Sequence, residues 1–159
     1  MSKREYHLRL GKVSAVMMVS PAYQRYPMAC LTAWIKPAIL MNQCHFFQDL
    51  SGGLVGYATW AFLTEEVEWR WVHDPHVMLH ISEWNEGDRL WIMDFVVLNG
   101  DVRRFINELK SLLPNHPCAK SLRRDDEGRV SKISQWGGAP RGVIKNKPKP
   151  GNVLCYSTV

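Results

Sequence analysis

No stretch of this 159-residue chain is apolar for long enough to cross a bilayer, so no membrane-spanning helix is expected. The opening residues, Met1-Ser2-Lys3-Arg4-Glu5-Tyr6-His7, contain no hydrophobic leader core, which argues against export by that route and for a cytoplasmic protein. Cysteine is sparse. Cys30, Cys44, Cys118 and Cys155 form neither a CxxC pair nor a zinc spacing, so reduced thiols are expected instead of a disulfide framework or a zinc site. No internal repeat is visible, which removes solenoids and propellers. The length leaves room for one sizeable core and not for two.

What is present is an ordinary globular composition, 46% hydrophobic, with a high count of seven Trp to supply large packing units. Asp94 stands out. In Leu90-Trp91-Ile92-Met93-Asp94-Phe95-Val96-Val97-Leu98 every other residue is apolar, a pattern that reads as a strand buried on both faces. An ionised carboxylate there costs several kcal/mol or more unless something pairs with it. Two readings fit: a functional carboxylate, or a structural one satisfied by backbone N–H groups or by an edge position.

Charge is uneven. Lys120 to Lys149 holds nine basic residues against Asp125, Asp126 and Glu127, a net +6, while the remainder of the chain carries −1. Such a segment suits an acidic partner, either a nucleic acid or an acidic protein, and equally a solvated tail that aids solubility. Its cations are not interleaved with aromatics that would stack on bases, and no nucleic-acid-binding motif accompanies them, so nucleic acid is the weaker of the two partners.

Apolar spacing predicts a helix over Leu8 to Met18 that stops at Ser20-Pro21, then a loop from Ala22 to Pro27 and a second segment from Met28 to Ile35. Cys44 to Gln48 and Leu54 to Phe62 read as strands around the turn Ser51-Gly52-Gly53. Thr64 caps a helix with Glu65 and Glu66 in its first turn and Val67, Trp71 and Val72 towards the core. After the central strand, Asn99-Gly100-Asp101 turns the chain. Asp101 is then in place to cap a helix that carries Phe105, Ile106, Leu109, Leu112 and Leu113 on one face and ends at Pro114. Ala119 to Arg124 and Arg129 to Gln135 form a last strand pair. The order predicts a single α/β (α+β) domain over residues 1–138, a mixed sheet flanked by helices, followed by a basic Pro/Gly/Lys-rich tail over 139–159.

A set of ordered motifs adds a family. Ser20-Pro21, Pro27, Pro37-Ala38-Ile39, Asn42-Gln43, Gly87-Asp88-Arg89, Trp91-Ile92-Met93-Asp94, Arg123, Val130-Ser131-Lys132-Ile133-Ser134 and Gly137-Gly138 together resemble the toxin-activating lysine acyltransferases encoded beside RTX toxins. The short length and the N-terminal residues look most like the branch at the multifunctional RTX toxin locus of vibrios. The resemblance implies a fold similar to the Gcn5-related N-acyltransferases. It also implies transfer of a fatty acyl group from acyl carrier protein to internal lysines of an RTX protoxin in the cytoplasm, which activates the toxin. The donor is then a phosphopantetheine thioester, with no tightly bound cofactor and no metal. Asn99-Gly100-Asp101-Val102-Arg103-Arg104 lacks the repeated glycines that hold a coenzyme A pyrophosphate, in keeping with a carrier-protein donor. Formation of a homodimer is left open.

The family's catalytic pair is a histidine and an aspartate. The resemblance places the aspartate at Asp94 and puts Tyr23 where the family has its histidine. A tyrosine of ordinary pKa ~10 is a poor base near neutrality but can donate a hydrogen bond or protonate a leaving thiolate. The expectation is therefore a slow enzyme. A homologue that only binds acyl carrier protein or toxin, and a basic nucleic-acid-binding module, are the alternatives. Asn42 and Gln43 are candidates for orienting a carbonyl or the Tyr23 loop, with a structural role the other reading. Trp91 is the best acyl-pocket candidate among Trp60, Trp69, Trp71, Trp84 and Trp91. Arg123 is a candidate contact to the donor, with an ion pair to Asp125 or Asp126 as the alternative. His73, His76 and His80 have the spacing of one helical face, but Pro75 breaks that helix, so a metal site is not expected.

Overall fold

The computed structural model describes residues 1–23, 26–116, 118–125 and 127–137. The expectation of a tail over 139–159 lies outside the described residues. Helix α1 (Lys3–Val19) begins at Ser2, whose hydroxyl accepts from the Glu5 N–H, and ends at Ser20. A π-helical turn (Leu31–Ile35) runs into the short helix α2 (Lys36–Leu40), which has Pro37 in its first turn. Strands β1 (Cys44–Gln48) and β2 (Leu54–Leu63) form a hairpin. Helix α3 (Glu65–His73) follows, with the Thr64 hydroxyl accepting from the Val67 N–H. A 3-10 turn (Ile81–Trp84) leads to β3 (Arg89–Val97), then α4 (Val102–Leu112), β4 (Ala119–Arg124) and β5 (Val130–Trp136).

The five strands lie in chain order in one sheet. All neighbours pair antiparallel except β3 and β4, which run parallel with α4 as their crossover. The expected α+β domain is what forms. One face of the sheet packs α1, the π-helical turn and α2 through Val13, Val16, Ile35 and Ile39 against Tyr57 and Val96. Beside them Val67 of α3 and Trp84 meet Leu63 and Trp91. The opposite face packs Phe105 and Leu109 of α4 onto Phe47, Ala58 and Ile92. No helix among the described residues is long and apolar enough to cross a membrane.

Two local expectations are corrected. The Asp101 side chain makes no capping hydrogen bond; its own N–H is taken by the Asn99 Oδ1 at 3.2 Å. Leu112 points away from the α4 core face and is exposed. The motif glycine Gly87 has a packing reason. A Cβ there would sit 2.0 Å from the Leu63 carbonyl oxygen, so only glycine lets the chain pass the end of β2 and enter β3.

Candidate active site

The register of β2 and β3 decides where Asp94 points. Thr59 lies opposite Asp94 and Trp60 opposite Ile92, so Met93 is an extra residue on β3, a β-bulge. Strict alternation would send Asp94 to the α4 face with Leu90 and Ile92. The bulge instead places it on the α1/α2 face with Thr59 and Tyr57, and Phe95 takes the α4 side.

Asp94 is 7% exposed. Burial pushes its carboxyl up to about 6, against the opposing pull of hydrogen bonding from Tyr23 and the nearby Thr59 hydroxyl. The Tyr23 hydroxyl donates to Asp94 Oδ1. Asp94 Oδ2 and Thr59 Oγ1 are buried and make no well-formed hydrogen bond among the described residues. Tyr23 reaches this position because α1 stops. The Ser20 carbonyl accepts from the Tyr23 N–H at 3.0 Å, which folds the chain back over the sheet. The Tyr23 ring packs 5.4 Å from Tyr26, and Tyr26 packs 5.9 Å from Trp34. Burial and the adjacent Asp94 charge push the Tyr23 phenol well above its ordinary range, so it is a proton donor and not a phenolate. Tyr57 lies on the same face beside it, and burial raises its phenol too.

The sheet opens next to this pair. β3 and β4 are joined only at Trp91–Lys120 and Ile92–Ser121, although both strands run on. A cleft of about 900 Å³ lies alongside the parting strands. Met93, Asp94 and Phe95 line it from β3, and Ser121 to Arg124 from β4. Tyr23, Tyr26, Trp34, Trp71, Trp84 and the segment Pro75 to Leu79 complete the lining. A carboxyl held at about 6 and hydrogen-bonded to a phenol at the wall of this cleft can accept a proton and return it, which is what general acid–base chemistry requires.

The model of the RTX toxin acyltransferase family matches residues 3–137. The chain is 32% identical over 134 residues to the RTX-II toxin-activating lysine-acyltransferase ApxIIC of Actinobacillus pleuropneumoniae, covering 82% of this chain and 81% of that one. It is 30% identical over 129 residues to ApxIC, the RTX-I toxin-activating lysine-acyltransferase of the same organism (81% and 73%). It is 28% identical over 129 residues to the protein-lysine myristoyltransferase HlyC of Escherichia coli (81% and 74%). The chain belongs to the RTX toxin acyltransferase family.

The other site candidates of this family member fall in different places. Arg123 lines the cleft. It makes no ion pair among the described residues, because Arg129 takes Asp125 at 3.1 Å; Asp126 is not among them. Asn42 sits at φ +57° and accepts from Arg9 at 2.8 Å, outside the cleft lining. Gln43 is buried and its amide donates to Asn85 Oδ1 at 2.9 Å and to the Trp84 carbonyl at 3.3 Å, which braces the segment that carries Trp84. Trp91 shares the sheet face of Asp94 but lies outside the cleft lining. Its indole N–H donates to Glu68 Oε1 at 2.7 Å. Of the tryptophans, Trp34, Trp71 and Trp84 line the cleft, while Trp60 lies on the α4 face and Trp69 is exposed.

Sequence reading missed the Glu68 cluster. Glu68 accepts from Arg89 at 2.6 Å, from Lys120 at 2.8 Å and from Trp91. Burial opposes its charge, but hydrogen bonds from Lys120, Trp91 and Arg89 outweigh it and hold the carboxyl below the usual range. The cluster ties α3 to β3 and β4 just where those strands are still paired. Arg89 of the Gly87-Asp88-Arg89 motif thus has a structural task. Arg124 is a second residue whose setting only the fold reveals. It is half-buried beside the cleft, donates to the Gly128 carbonyl at 2.7 Å and to the Trp71 carbonyl, and stacks 4.9 Å from the Trp71 ring. Among the described residues no cluster of three His, Cys, Asp or Glu side chains is placed to hold a metal.

Proposed function

We propose that this chain is a protein-lysine acyltransferase. It moves a fatty acyl group from the phosphopantetheine thioester of acyl carrier protein to lysine ε-amino groups of an RTX protoxin, in the cytoplasm. The observation that carries the reading is the Asp94–Tyr23 pair at the wall of a cleft between parting strands.

The reaction converts an ammonium and a thioester into an amide, a thiol and one free proton. Nitrogen gives up two protons, and one of them ends on sulfur. The pair suits that second proton. As the amine attacks, the Tyr23 oxygen takes the N–H proton while its own moves to Asp94 Oδ1. The relay reverses when the C–S bond breaks, and Tyr23 protonates the thiolate. A carboxyl at about 6 is strong enough to return the proton and weak enough to accept it. Tyr23 in place of an imidazole leaves Asp94 as the base of the pair and makes turnover slow.

The donor reading has its own support. The stretch Asn99-Gly100-Asp101-Val102-Arg103-Arg104 that leads into α4 lacks the repeated glycines that let backbone amides wrap a coenzyme A pyrophosphate. Arg123 faces the cleft without a carboxylate partner among the described residues, free to meet an acidic carrier protein or its phosphate. A second reading, a binder without turnover, draws on the closure of Asp94: Tyr23 occupies Oδ1, and Oδ2 is buried.

Intact-mass analysis of an RTX toxin fragment, incubated with acyl-acyl carrier protein and this chain, tests both. A mass gain of one acyl group with wild type and a loss of about 10²-fold or more in rate with Asp94→Ala is expected. Equal modification by both proteins removes Asp94 from the mechanism. Complex formation with no mass gain identifies the binder.

A further inference from the structure

The proton relay of Asp94 and Tyr23 accounts for one of the two protons that nitrogen loses. The other must leave first, because a lysine side chain of ordinary pKa ~10.4 arrives as an ammonium that cannot attack. Few groups in the cleft can take it. Tyr23 and Tyr26 are phenols, and Arg123 and Arg124 are cations. Asp94 has one oxygen bonded to Tyr23 and the other buried. His76 remains.

Resting on the acyl-transfer reading above, we propose that His76 is the catalytic base that converts the incoming lysine ammonium to the free amine. The segment that carries it is fixed. The Asp74 carboxylate accepts from the His76 backbone N–H at 2.8 Å. The Pro75 carbonyl lies against Gly128 in the β4–β5 turn, so closely that a Cβ at Gly128 would come within 2.7 Å of it. Arg124 ties the same hairpin to the end of α3 through the Trp71 carbonyl. This clamp holds the Pro75–Leu79 segment along the cleft and sets His76 into its lining. The imidazole makes no hydrogen bond or ion pair among the described residues and is exposed, so it can pass its proton to solvent.

The other histidines are committed elsewhere. His45 pairs with Glu108 at 2.7 Å, and its strand partner Ala58 belongs to the α4 face. His73 lies 2.8 Å from the Trp69 carbonyl and stacks on the Trp69 ring. His80 caps the 3-10 turn, His116 stacks on Phe62, and His7 packs on Tyr6.

The step balances. One N–H bond of the ammonium breaks and its proton goes to the imidazole and then to bulk water. The amine keeps its electron pair for the C–N bond, and the second proton follows the Tyr23–Asp94 route to sulfur. No oxidant or reductant enters.

The test uses the full chain, an acyl-acyl carrier protein donor and an RTX toxin fragment in single-turnover transfer. His76→Ala and His76→Gln should each transfer about 10²-fold more slowly with an unchanged KM for the donor. Added imidazole should restore His76→Ala several-fold, which a purely structural role would not allow. In a Tyr23→His background, a new imidazole in the cleft should make His76→Ala nearly silent. Wild-type rates in both single variants, or a loss that imidazole does not restore, overturn the inference and leave the acyl-transfer reading intact. No transfer by wild type overturns both.

Discussion

Replacing Asp94 by Asn should stabilise the protein, and by an amount that depends on pH. The carboxyl titrates at about 6 in the folded chain and at 3.8 in an unfolded reference. The folded state therefore holds a proton that the unfolded state has already released. Folding is favoured at low pH, and the advantage is lost as pH rises from 3.8 through about 6. Above that window the full cost of the buried charge is present: about 2.2 pH units at 1.36 kcal/mol each, or about 3 kcal/mol. Asn keeps an oxygen for the Tyr23 hydroxyl and carries no charge, so the substitution removes this cost. By the same linkage the gap between variant and wild type should be about 1–2 kcal/mol at pH 5 and about 3 kcal/mol at pH 7.5. At the higher pH that corresponds to a rise in Tm of roughly 6–12 °C. Urea denaturation of both proteins at the two pH values measures it, with transfer activity lost in the variant. A variant no more stable than wild type at pH 7.5, or a gap that does not grow with pH, would refute the claim that Asp94 is held in a setting hostile to its own charge.

Tyr23→Phe removes the donor that favours the Asp94 carboxylate, so the carboxyl should titrate higher than about 6, read by carbon NMR of labelled aspartate, and acyl transfer should fall by about 10²-fold. Glu68→Gln leaves Arg89 and Lys120 without their shared anion and should destabilise by roughly 1–3 kcal/mol at neutral pH in urea melts. Because the folded Glu68 carboxyl lies below its unfolded value of 4.5, that difference should be complete above pH 4.5 and shrink as pH falls through the lowered folded value. Gly87→Ala, which drives a methyl into the Leu63 carbonyl, should lower Tm by several degrees by calorimetry while leaving the urea m-value unchanged.

Much of the scaffold is legible because it rests on local rules. β1 spans Cys44–Gln48 and β4 spans Ala119–Arg124, as alternation and the flanking turn residues require, and the Thr64 cap forms as its hydroxyl and first-turn acids demand. Glu68 was hidden because its partners are 21 and 52 residues away and a helical glutamate next to Glu65 and Glu66 reads as solvated. The setting of Trp91 is non-local in the same way. Nearness to Asp94 along the strand says nothing about what its indole N–H bonds to, and Glu68 holds it away from the cleft lining.

The placement of Asp94 is the deepest of these non-local effects. Nothing in Leu90 to Leu98 marks Met93 as a bulge, since every residue beside Asp94 is apolar and either parity buries it. Only the register against β2 shows that Thr59 meets Asp94 while Trp60 meets Ile92. Shift that pairing by one residue and the carboxyl lies beneath α4, across the sheet from Tyr23. Two decisions made at opposite ends of the fold therefore have to agree. α1 must stop at Ser20 so that Tyr23 turns back, and β3 must gain one residue so that Asp94 turns out to meet it. The chain also bears the cost of a carboxylate in its core. A protein under selection for stability alone would discard both the bulge and the charge, and their joint presence at a cleft is the physical case for a working site.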